Sequence, residues 1–256
     1  MAKGLFVAGT GTDVGKTFVT ALMIKKLIHS GRKAAYYKAA MSGNQRISKS
    51  DFEYSAGGKD RNRSYPVSDE YYVKEKTLIP GDAVYVKNVS GLSQSLESMC
   101  PYVYEKAVSP HLAARLERNP VELVRVCDGF EELSRSNEYI TVEGSGGIVC
   151  PVRFDLEKRG NIMLEDVIKK LNLPCVIVAD AGLGTINSVV LTAEYMKSHA
   201  IKAKGIIFNR FHPGDVMEED NLNMCEHITG IKVISCVKEG DLSLDMDEHI
   251  LESLYE

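Results

Sequence analysis

The chain has 256 residues, of which 44% are hydrophobic and 7% aromatic, and its formal net charge at pH 7 is −4. This length predicts one large domain or two small ones, and the many aliphatic residues suit the buried strands of a parallel sheet. The mildly acidic balance, with both signs of charge interspersed, argues against nucleic acid or an anionic membrane as a partner. No run approaches the roughly 18 apolar residues of a membrane span, which predicts a cytoplasmic protein.

Short apolar runs alternate with amphipathic stretches along the whole chain. It opens with the apolar run "LFVAG". The amphipathic stretch "KTFVTALMIKKLIHSG" follows and should end as a helix at Gly31, and the apolar run "KAAYYKA" comes next. Later runs continue the alternation: "EYITVEG", "LEDVIKKLN", "CVIVAD", "INSVVLTAEYMKSHA", "KGIIFNR", "EDNLNMCEHITG", "KVISCV" and "DEHILESLYE". This order predicts an α/β fold, with βαβ units on a mostly parallel sheet that carries helices on both faces.

The segment 44–80 differs from the rest because it is rich in Ser, Lys, Arg, Asp and Tyr and shows no sustained helical or strand period. We expect a single domain over 1–256 with a surface insertion at 44–80, either an irregular excursion or a partly mobile hairpin. A substrate lid is the functional alternative.

The six cysteines contain no C-x-x-C pair and often lie inside apolar runs. The pattern favours buried free thiols over disulfides or a zinc site. The six histidines are also dispersed and lack the spacing of metal ligands.

The stretch "AGTGTDVGKTFVT", which joins the first strand to the first helix, has the context of a phosphate-binding loop. Backbone N–H groups in such a loop surround the phosphates, the lysine reaches the β and γ phosphates, and the threonine hydroxyl ligates Mg²⁺. Gly15, Lys16 and Thr17 fit these roles. A dinucleotide-binding loop is the alternative, but its fingerprint requires glycine where Val14 stands and has no use for Lys-Thr. The loop therefore predicts a P-loop NTPase type of fold.

The loop is one residue longer than G-x-x-x-x-G-K-[ST], because Thr10 stands where the first glycine belongs and Gly9 comes one residue early. "GTGTDVGKT" resembles the "GT-x-T-x-VGKT" loop of the dethiobiotin synthetases, a branch of the P-loop ATPases with this extra residue. "YYKAAMSG", "GDAVYV", "SPHLAARLE", "VEGSGGIVCPV", "GLGTIN" and "IIFNR" resemble further segments of that family, in the same order along the chain.

The resemblance implies roles for individual residues. Lys38, with Lys16, would be catalytic, and Thr17, Asp82 and Glu143 would hold the metal. Nucleotide contacts would come from Asp13, Val14, Gly15, Lys16, Thr17, Phe18, Asp82, Glu143, Gly144, Ser145, Gly146, Asn209 and Arg210. Substrate contacts would come from Thr12, Ser42, Gly146 and Asn187.

Two predicted strands end in a carboxylate, Glu143 and Asp180. By pattern alone Asp180 is the better metal ligand, because its strand is the more hydrophobic. The resemblance favours Glu143, because the "GSGG" that follows lets backbone approach metal and substrate; Asp180 is then expected to organise the next loop. The chain departs from the family at Ala39 and Val237, where proline is usual, and Val237 leaves the contacts to base and ribose undefined.

The resemblance implies that ATP, Mg²⁺ and CO₂ are used to close a cyclic urea on 7,8-diaminononanoate. It also implies a homodimer, in which the helix near "GLGTIN" meets the substrate carboxylate bound in the partner subunit; Thr185 and Asn187 suit capping and anion binding there. Two alternatives stay open: an amidoligase of the cobyrinate amidase type, and a partitioning-type ATPase switch. Amidoligases of that type usually carry a glutamine-hydrolysing domain, for which no room is expected here. Partitioning-type ATPases carry a lysine early in the loop, where this chain has Thr10, Gly11 and Thr12.

Overall fold

The computed structural model describes residues 2–47, 77–155 and 160–256, and a six-stranded parallel sheet forms its centre. Its strands are β1 (Lys3–Gly9), β2 (Ala34–Tyr37), β5 (Tyr139–Glu143), β8 (Cys175–Asp180), β9 (Ala203–Asn209) and β10 (Val233–Val237). They are arranged in the order β10-β9-β8-β1-β5-β2, and every neighbouring pair is parallel. The mostly parallel sheet predicted from the sequence is confirmed.

Helices cover both faces of this sheet, as predicted. They are α1 (Lys16–His29), α2 (Gly81–Ser90), α3 (Leu96–Met99), α4 (Pro110–Leu116), α5 (Leu123–Ser134), α6 (Leu164–Leu171), α7 (Thr185–Ser198), α8 (Val216–Thr229) and α9 (Glu248–Ser253). Alternate residues of β1 serve separate cores, because successive side chains of a strand point to opposite faces. Leu5 and Val7 pack with α1, α2 and α9, whereas Phe6 and Ala8 pack with α5, α6 and α7.

Two short antiparallel pairs lie outside the main sheet. One joins β3 (Gln45–Ile47) to β4 (Thr77–Ile79), and the other joins β6 (Pro151–Arg153) to β7 (Ile162–Met163). The β3–β4 pair forms the two ends of the predicted insertion at 44–80, whose residues 48–76 lie outside the described ranges. Those ends are anchored: Asn44 is buried, its amide donates to the carbonyls of Met41 and Tyr104, and it accepts from the Gly81 N–H.

The ends of two helices bear on the sequence predictions. The chain leaves α1 through Gly31 in a left-handed conformation (φ 77°), so the predicted stop is confirmed. The expected capping by Thr185 and Asn187 is wrong, because Gly184 is the N-cap of α7 and both residues lie inside its first turn. The reason is that Gly184 has a left-handed φ of 90°, which glycine adopts without strain.

All six cysteines are free, and four of them are buried. In residues 2–47, 77–155 and 160–256 no helix combines the length and apolar character needed to cross a bilayer.

Candidate active site

The site lies at the carboxyl ends of β1, β2 and β5, where the chain leaves the sheet into three loops. This edge of an open α/β sheet is where ligands bind in such folds. β1 leads into the phosphate loop, Lys38 follows β2 directly, and Glu143 is the last residue of β5. Asp82 joins them from the first turn of α2.

The phosphate loop folds around its own lysine. Lys16 is buried, and its ammonium donates to the Gly11 carbonyl over 2.8 Å. A Cβ atom on Gly9 would lie 2.8 Å from Cδ of Lys16. Gly15, at φ 91°, has no space for one either, because it would lie 1.9 Å from Nδ2 of Asn209. Both glycines are thus required by close packing within the loop.

Two consecutive residues at the end of β9 hold the longer loop from outside. The Asn209 amide donates to the Val14 carbonyl over 3.1 Å, and the Arg210 guanidinium donates to the Asp13 carbonyl over 2.7 Å. Arg210 also pairs with the Asp180 carboxylate. Asp13 itself is left-handed, at φ 59°. These contacts fix the two carbonyls that precede Gly15.

The Gly15→Ala variant is expected to bind ADP about 10-fold or more weakly, roughly 1.4 kcal/mol, because its Cβ atom would collide with the Asn209 side chain that holds the Val14 carbonyl and would displace the loop. Gly31→Ala is the matched control, because Gly31 is also left-handed, at φ 77°, but has open space around its Cβ position. It should lose stability and keep its ADP affinity. Calorimetric titration with ADP measures both variants, and equal ADP affinities would contradict the account of the loop.

A lysine lies between two carboxylates in the site. Lys38 Nζ lies 2.7 Å from Oδ2 of Asp82 and 2.7 Å from Oε1 of Glu143. The same Oε1 atom accepts the Thr17 hydroxyl over 2.8 Å, and the Tyr36 hydroxyl donates to Oε2 over 2.9 Å. Lys38 and Glu143 are buried, whereas Asp82 is partly exposed. The structure therefore brings together four of the residues predicted for catalysis and metal binding.

The two lysines of the site differ in their electrostatic surroundings. Burial by itself lowers the pKa of Lys38, but the Glu143 and Asp82 carboxylates outweigh it and raise the pKa above its ordinary value. The pKa of Lys16 is lowered, chiefly by burial, with the Glu143 charge opposing the shift and the Lys38 charge adding to it. The surroundings of Lys38 thus favour its charged form, and Lys16 is a buried lysine that would gain from an anionic ligand.

Asp180, the other strand-end carboxylate, lies away from this cluster. It accepts the Gly182 N–H over 2.9 Å and pairs with Arg210, so it organises the loop after β8, as predicted. The carboxylate that Lys38 and Thr17 contact is that of Glu143. The more hydrophobic strand therefore does not supply the acid beside the phosphate loop.

These groups face a cleft of about 1100 Å³. The predicted site residues that line it are Thr12, Asp13, Gly15, Lys16, Thr17, Phe18, Lys38, Ser42, Asp82, Glu143, Ser145, Gly146 and Arg210. Four others do not. Val14 and Asn209 take part in the loop's own support, Gly144 packs against Phe6, and Asn187 is exposed in the first turn of α7.

The glycine-rich turn after β5 ties two loops of the site together. The Ser145 hydroxyl donates to the Ala40 carbonyl over 2.8 Å, which links this turn to the loop after β2. A Cβ atom on Gly144 would lie 3.0 Å from the Phe6 ring, and Gly146 is left-handed at φ 65°. Glycine is therefore favoured at 144 by the close contact with Phe6 and at 146 by the left-handed backbone.

The sequence prediction missed several residues of the site. Tyr36 bonds the second oxygen of Glu143, and Tyr85 and Ser109 line the cleft. The strand period of two offered a signal for Tyr36, because it precedes Lys38 by two residues and so shares its face. Tyr85 follows Asp82 by three residues on α2, the spacing of neighbours on one helix face.

The donor chemistry of the cluster fits Mg²⁺. Asp82, Glu143 and Thr17 offer two carboxylates and a hydroxyl, and oxygen donors are what this ion prefers. In the described part of the chain no group of three or more His, Cys, Asp or Glu side chains converges on one point. Mg²⁺ is usually bound by one or two carboxylates together with substrate phosphates and water, and this set of side chains could serve such a site.

Comparison with known proteins gives a consistent result. A family model described as an AAA domain matches residues 3–243. A protein of Brachyspira hyodysenteriae named ATP-dependent dethiobiotin synthetase BioD is 42% identical over 256 residues, with 100% of both chains covered. Proteins of the same name from Clostridium perfringens and Clostridium botulinum are 37% and 39% identical, covering 100% of this chain and 98% and 99% of theirs.

Solved structures show the same fold at much lower identity. The MinC:MinD cell division protein complex of Aquifex aeolicus aligns with a TM-score of 0.50 and 14% identity, covering 93% of this chain and 82% of that one. A ParA family ATPase from Chlorobium tepidum aligns with a TM-score of 0.50 and 13% identity, covering 100% and 89%. At these identities the likeness establishes a P-loop NTPase-like fold and says nothing about activity.

Proposed function

Because the chain belongs to the family of ATP-dependent dethiobiotin synthetases, ligases of biotin biosynthesis, we propose that its cleft joins CO₂ to 7,8-diaminononanoate and closes the ureido ring with ATP. The observation that carries the proposal is the position of Lys38. Its ammonium is held by Asp82 and Glu143, lines the same cleft as Lys16, and contacts the Glu143 oxygen that also accepts the Thr17 hydroxyl of the phosphate loop.

The reaction needs positive charge more than acid–base groups. One amine of the substrate attacks CO₂ and loses a proton, which gives a carbamate. A carbamate oxygen then attacks the γ-phosphorus and ADP departs; the second amine attacks the carbonyl carbon and releases phosphate. No enzyme nucleophile is used, but the carbamate and the γ-phosphate are both anions that must meet.

The two lysines would make that meeting possible. Lys16 would serve the phosphates from the loop, and Lys38 would serve the carbamate. A magnesium ion, when bound by Thr17, Asp82 and Glu143, would supply further neutralising charge on the phosphate oxygens. Since Lys38 keeps its charge, it would also lower the pKa of the substrate amines beside it and favour a neutral, nucleophilic amine.

Placement of the diamine is the second contribution of the site to the reaction rate. Ser42, Thr12 and Gly146 line the cleft near Lys38 and would orient the amine end of the chain. Ring closure is intramolecular, so holding both nitrogens at the reacting carbon supplies several kcal/mol of the barrier, about 7–11 in well-oriented cases.

We propose a homodimer in which Asn187 contacts the substrate carboxylate bound by the partner subunit. The exposure of Asn187 and its absence from the lining of its own subunit's cleft support this arrangement. In that arrangement the N-terminus of α7 would meet an anion, which the helix dipole favours.

We predict that two inactive variants regain activity when their subunits are mixed. Lys38→Ala removes the cation from one half of a shared site, and Asn187→Asp places a repelling charge in the other half. A mixed dimer then holds one intact site and one doubly altered site. Subunits are exchanged by dilute denaturant and refolding, and dethiobiotin formation is measured. Activity no greater than the mean of the two parents would contradict a shared site.

The function itself is tested with labelled bicarbonate. Purified protein, ATP, Mg²⁺ and 7,8-diaminononanoate should convert the label into dethiobiotin, with one ADP and one phosphate per ring. ATP hydrolysis should be stimulated by the diamine with bicarbonate, and not by DNA or vesicles, which would indicate a partitioning-type ATPase. Absence of labelled product with intact ADP binding would refute the proposal.

A further inference from the structure

The two oxygens of Glu143 have different partners, and one of those partners is the hydroxyl of Tyr36. Oε1 accepts the Thr17 hydroxyl over 2.8 Å and the Lys38 ammonium over 2.7 Å. Oε2 accepts the Tyr36 hydroxyl over 2.9 Å. Glu143 is only 2% exposed, so an oxygen without a donor there would be costly.

We propose that Tyr36 is a positioning residue for the metal site: its hydroxyl holds Oε2 of Glu143 and thereby presents Oε1 to Thr17, Lys38 and the incoming ion. The inference rests on the proposed function, because it takes Glu143 as a ligand of the ion that accompanies ATP. It adds a residue that acts through the carboxylate and does not itself touch a ligand.

Tyr36 is held firmly enough for this task. Its ring is fully buried, and its strand, β2, is the edge of the sheet. The outward backbone groups of that edge are satisfied by a side chain: the Tyr36 N–H donates to Oε1 of Gln94, and Nε2 of Gln94 donates to the Tyr36 carbonyl, both over 2.9 Å. The Lys38 N–H then donates to the Met99 carbonyl over 2.9 Å. The backbone that carries both Tyr36 and Lys38 is therefore fixed on each side of Tyr37.

The phenol is the donor of this contact: its hydroxyl lies 2.9 Å from Oε2, and both side chains are buried. Hydrogen bonds of this kind to a ligating carboxylate tune metal affinity, and their loss typically costs about 10- to 100-fold in affinity.

The next residue of the strand provides a matched control. Tyr37 is equally buried, and its hydroxyl donates to the Val126 carbonyl over 2.8 Å, on the opposite face of β2 and away from the cleft. Tyr36→Phe and Tyr37→Phe therefore remove the same atom, from the same strand, with comparable loss of a buried hydrogen bond. They differ in whether that bond ends on Glu143.

The experiment measures Mn²⁺ binding in the presence of saturating ADP, by the electron paramagnetic resonance signal of free Mn²⁺, without either substrate of the ring closure. Tyr36→Phe is expected to raise the Kd for Mn²⁺ about 10-fold or more, whereas Tyr37→Phe leaves it unchanged. In turnover, Tyr36→Phe should raise the Mg²⁺ concentration for half-maximal rate, with kcat at saturating Mg²⁺ reduced much less. Thermal melting of both variants shows whether they are folded.

Equal Mn²⁺ affinities in folded Tyr36→Phe and wild-type protein would overturn the inference, as would an equal loss in Tyr37→Phe. If Tyr36→Phe does not fold, a crystal structure of the wild-type protein with Mg²⁺ and ADP decides. Tyr36 should then donate to Oε2 while Oε1 faces the ion; the reverse arrangement would refute the inference. A wild-type protein that binds Mn²⁺ and ADP but makes no dethiobiotin would refute the proposed function alone.

Discussion

Replacing Lys38 with alanine is expected to lower kcat for dethiobiotin formation by about 1,000-fold or more, while the affinity for ADP with Mg²⁺ changes little. Loss of one preorganised charge aimed at a developing anion costs about 100- to 1,000-fold in other sites, and here two anions depend on it. ADP binding is preserved because the loop, Lys16 and Thr17 are untouched. A radiolabel assay of product and a calorimetric titration with ADP measure the two quantities separately.

The Lys38→Ala variant also affects stability, because it removes the ion-pair partner of the buried Glu143. Without the ammonium, Glu143 keeps only the Thr17 and Tyr36 hydroxyls, and we expect the free energy of unfolding to fall by about 1–3 kcal/mol. Lys38→Met separates charge from volume and should lose as much activity. Lys38→Arg retains the charge and should keep more activity than either. Lys38→Ala or Lys38→Met protein with a kcat within 10-fold of wild type would count against the role of this lysine in catalysis.

Replacing Glu143 with glutamine is expected to lower turnover at fixed Mg²⁺ by about 100-fold or more, because Glu143, the proposed ligand of the ion and the partner of Lys38, loses its charge. The matched control is Asp180→Asn, since Asp180 is the other carboxylate at the end of a strand but bonds Arg210 and Gly182. It should lose only a few-fold, by loosening the hold of Arg210 on the loop.

The measurement is kcat as a function of Mg²⁺ for each variant. For Glu143→Gln the curve should shift to higher Mg²⁺, whereas for Asp180→Asn it should not shift. A larger Mg²⁺ effect in Asp180→Asn than in Glu143→Gln would show that the more hydrophobic strand carries the metal ligand after all.

The first strand, the loop and the first helix were predictable because their determinants are local. Gly15 adopts a left-handed φ and contacts Asn209 closely, so a glycine is needed there and its spacing to Lys16 can be read from the chain. Alternating apolar runs likewise predicted the parallel sheet, since each strand buries both faces. The helix stop at Gly31 is local in the same sense.

The meeting of Lys38, Asp82 and Glu143 was not predictable from spacing. These residues come from three segments that are far apart in sequence, and only the resemblance to a family placed them together. By pattern alone Asp180 was the better acid, since its strand is the more hydrophobic, but hydrophobicity does not reveal which side chains a carboxylate at the end of a strand will contact. In the sheet β1 lies between β5 and β8, and Glu143 faces Lys38 and Thr17 whereas Asp180 faces Arg210.

Other features depend on tertiary contacts in the same way. The pairing of β6 with β7 lies outside the main sheet, and its strands are too short to show a period of two. Tyr36 and Tyr37 look alike in sequence, and only the fold decides which hydroxyl reaches a carboxylate. The insertion at 44–80 stays a prediction, because its residues 48–76 lie outside the described ranges. Its described ends are anchored through Asn44 and β4.

The central claim is that Lys38 and Lys16, which line one cleft, each reach a reacting anion. A crystal structure with Mg²⁺, a non-hydrolysable ATP analogue and 7,8-diaminononanoate tests it most directly. We predict Lys38 Nζ about 3 Å from an oxygen of the γ-phosphate or of a carbamate on the diamine, and Lys16 Nζ at a similar distance from the β or γ phosphate. A Lys38 ammonium turned away from the phosphates and the diamine, or a diamine bound outside the cleft, would contradict the account.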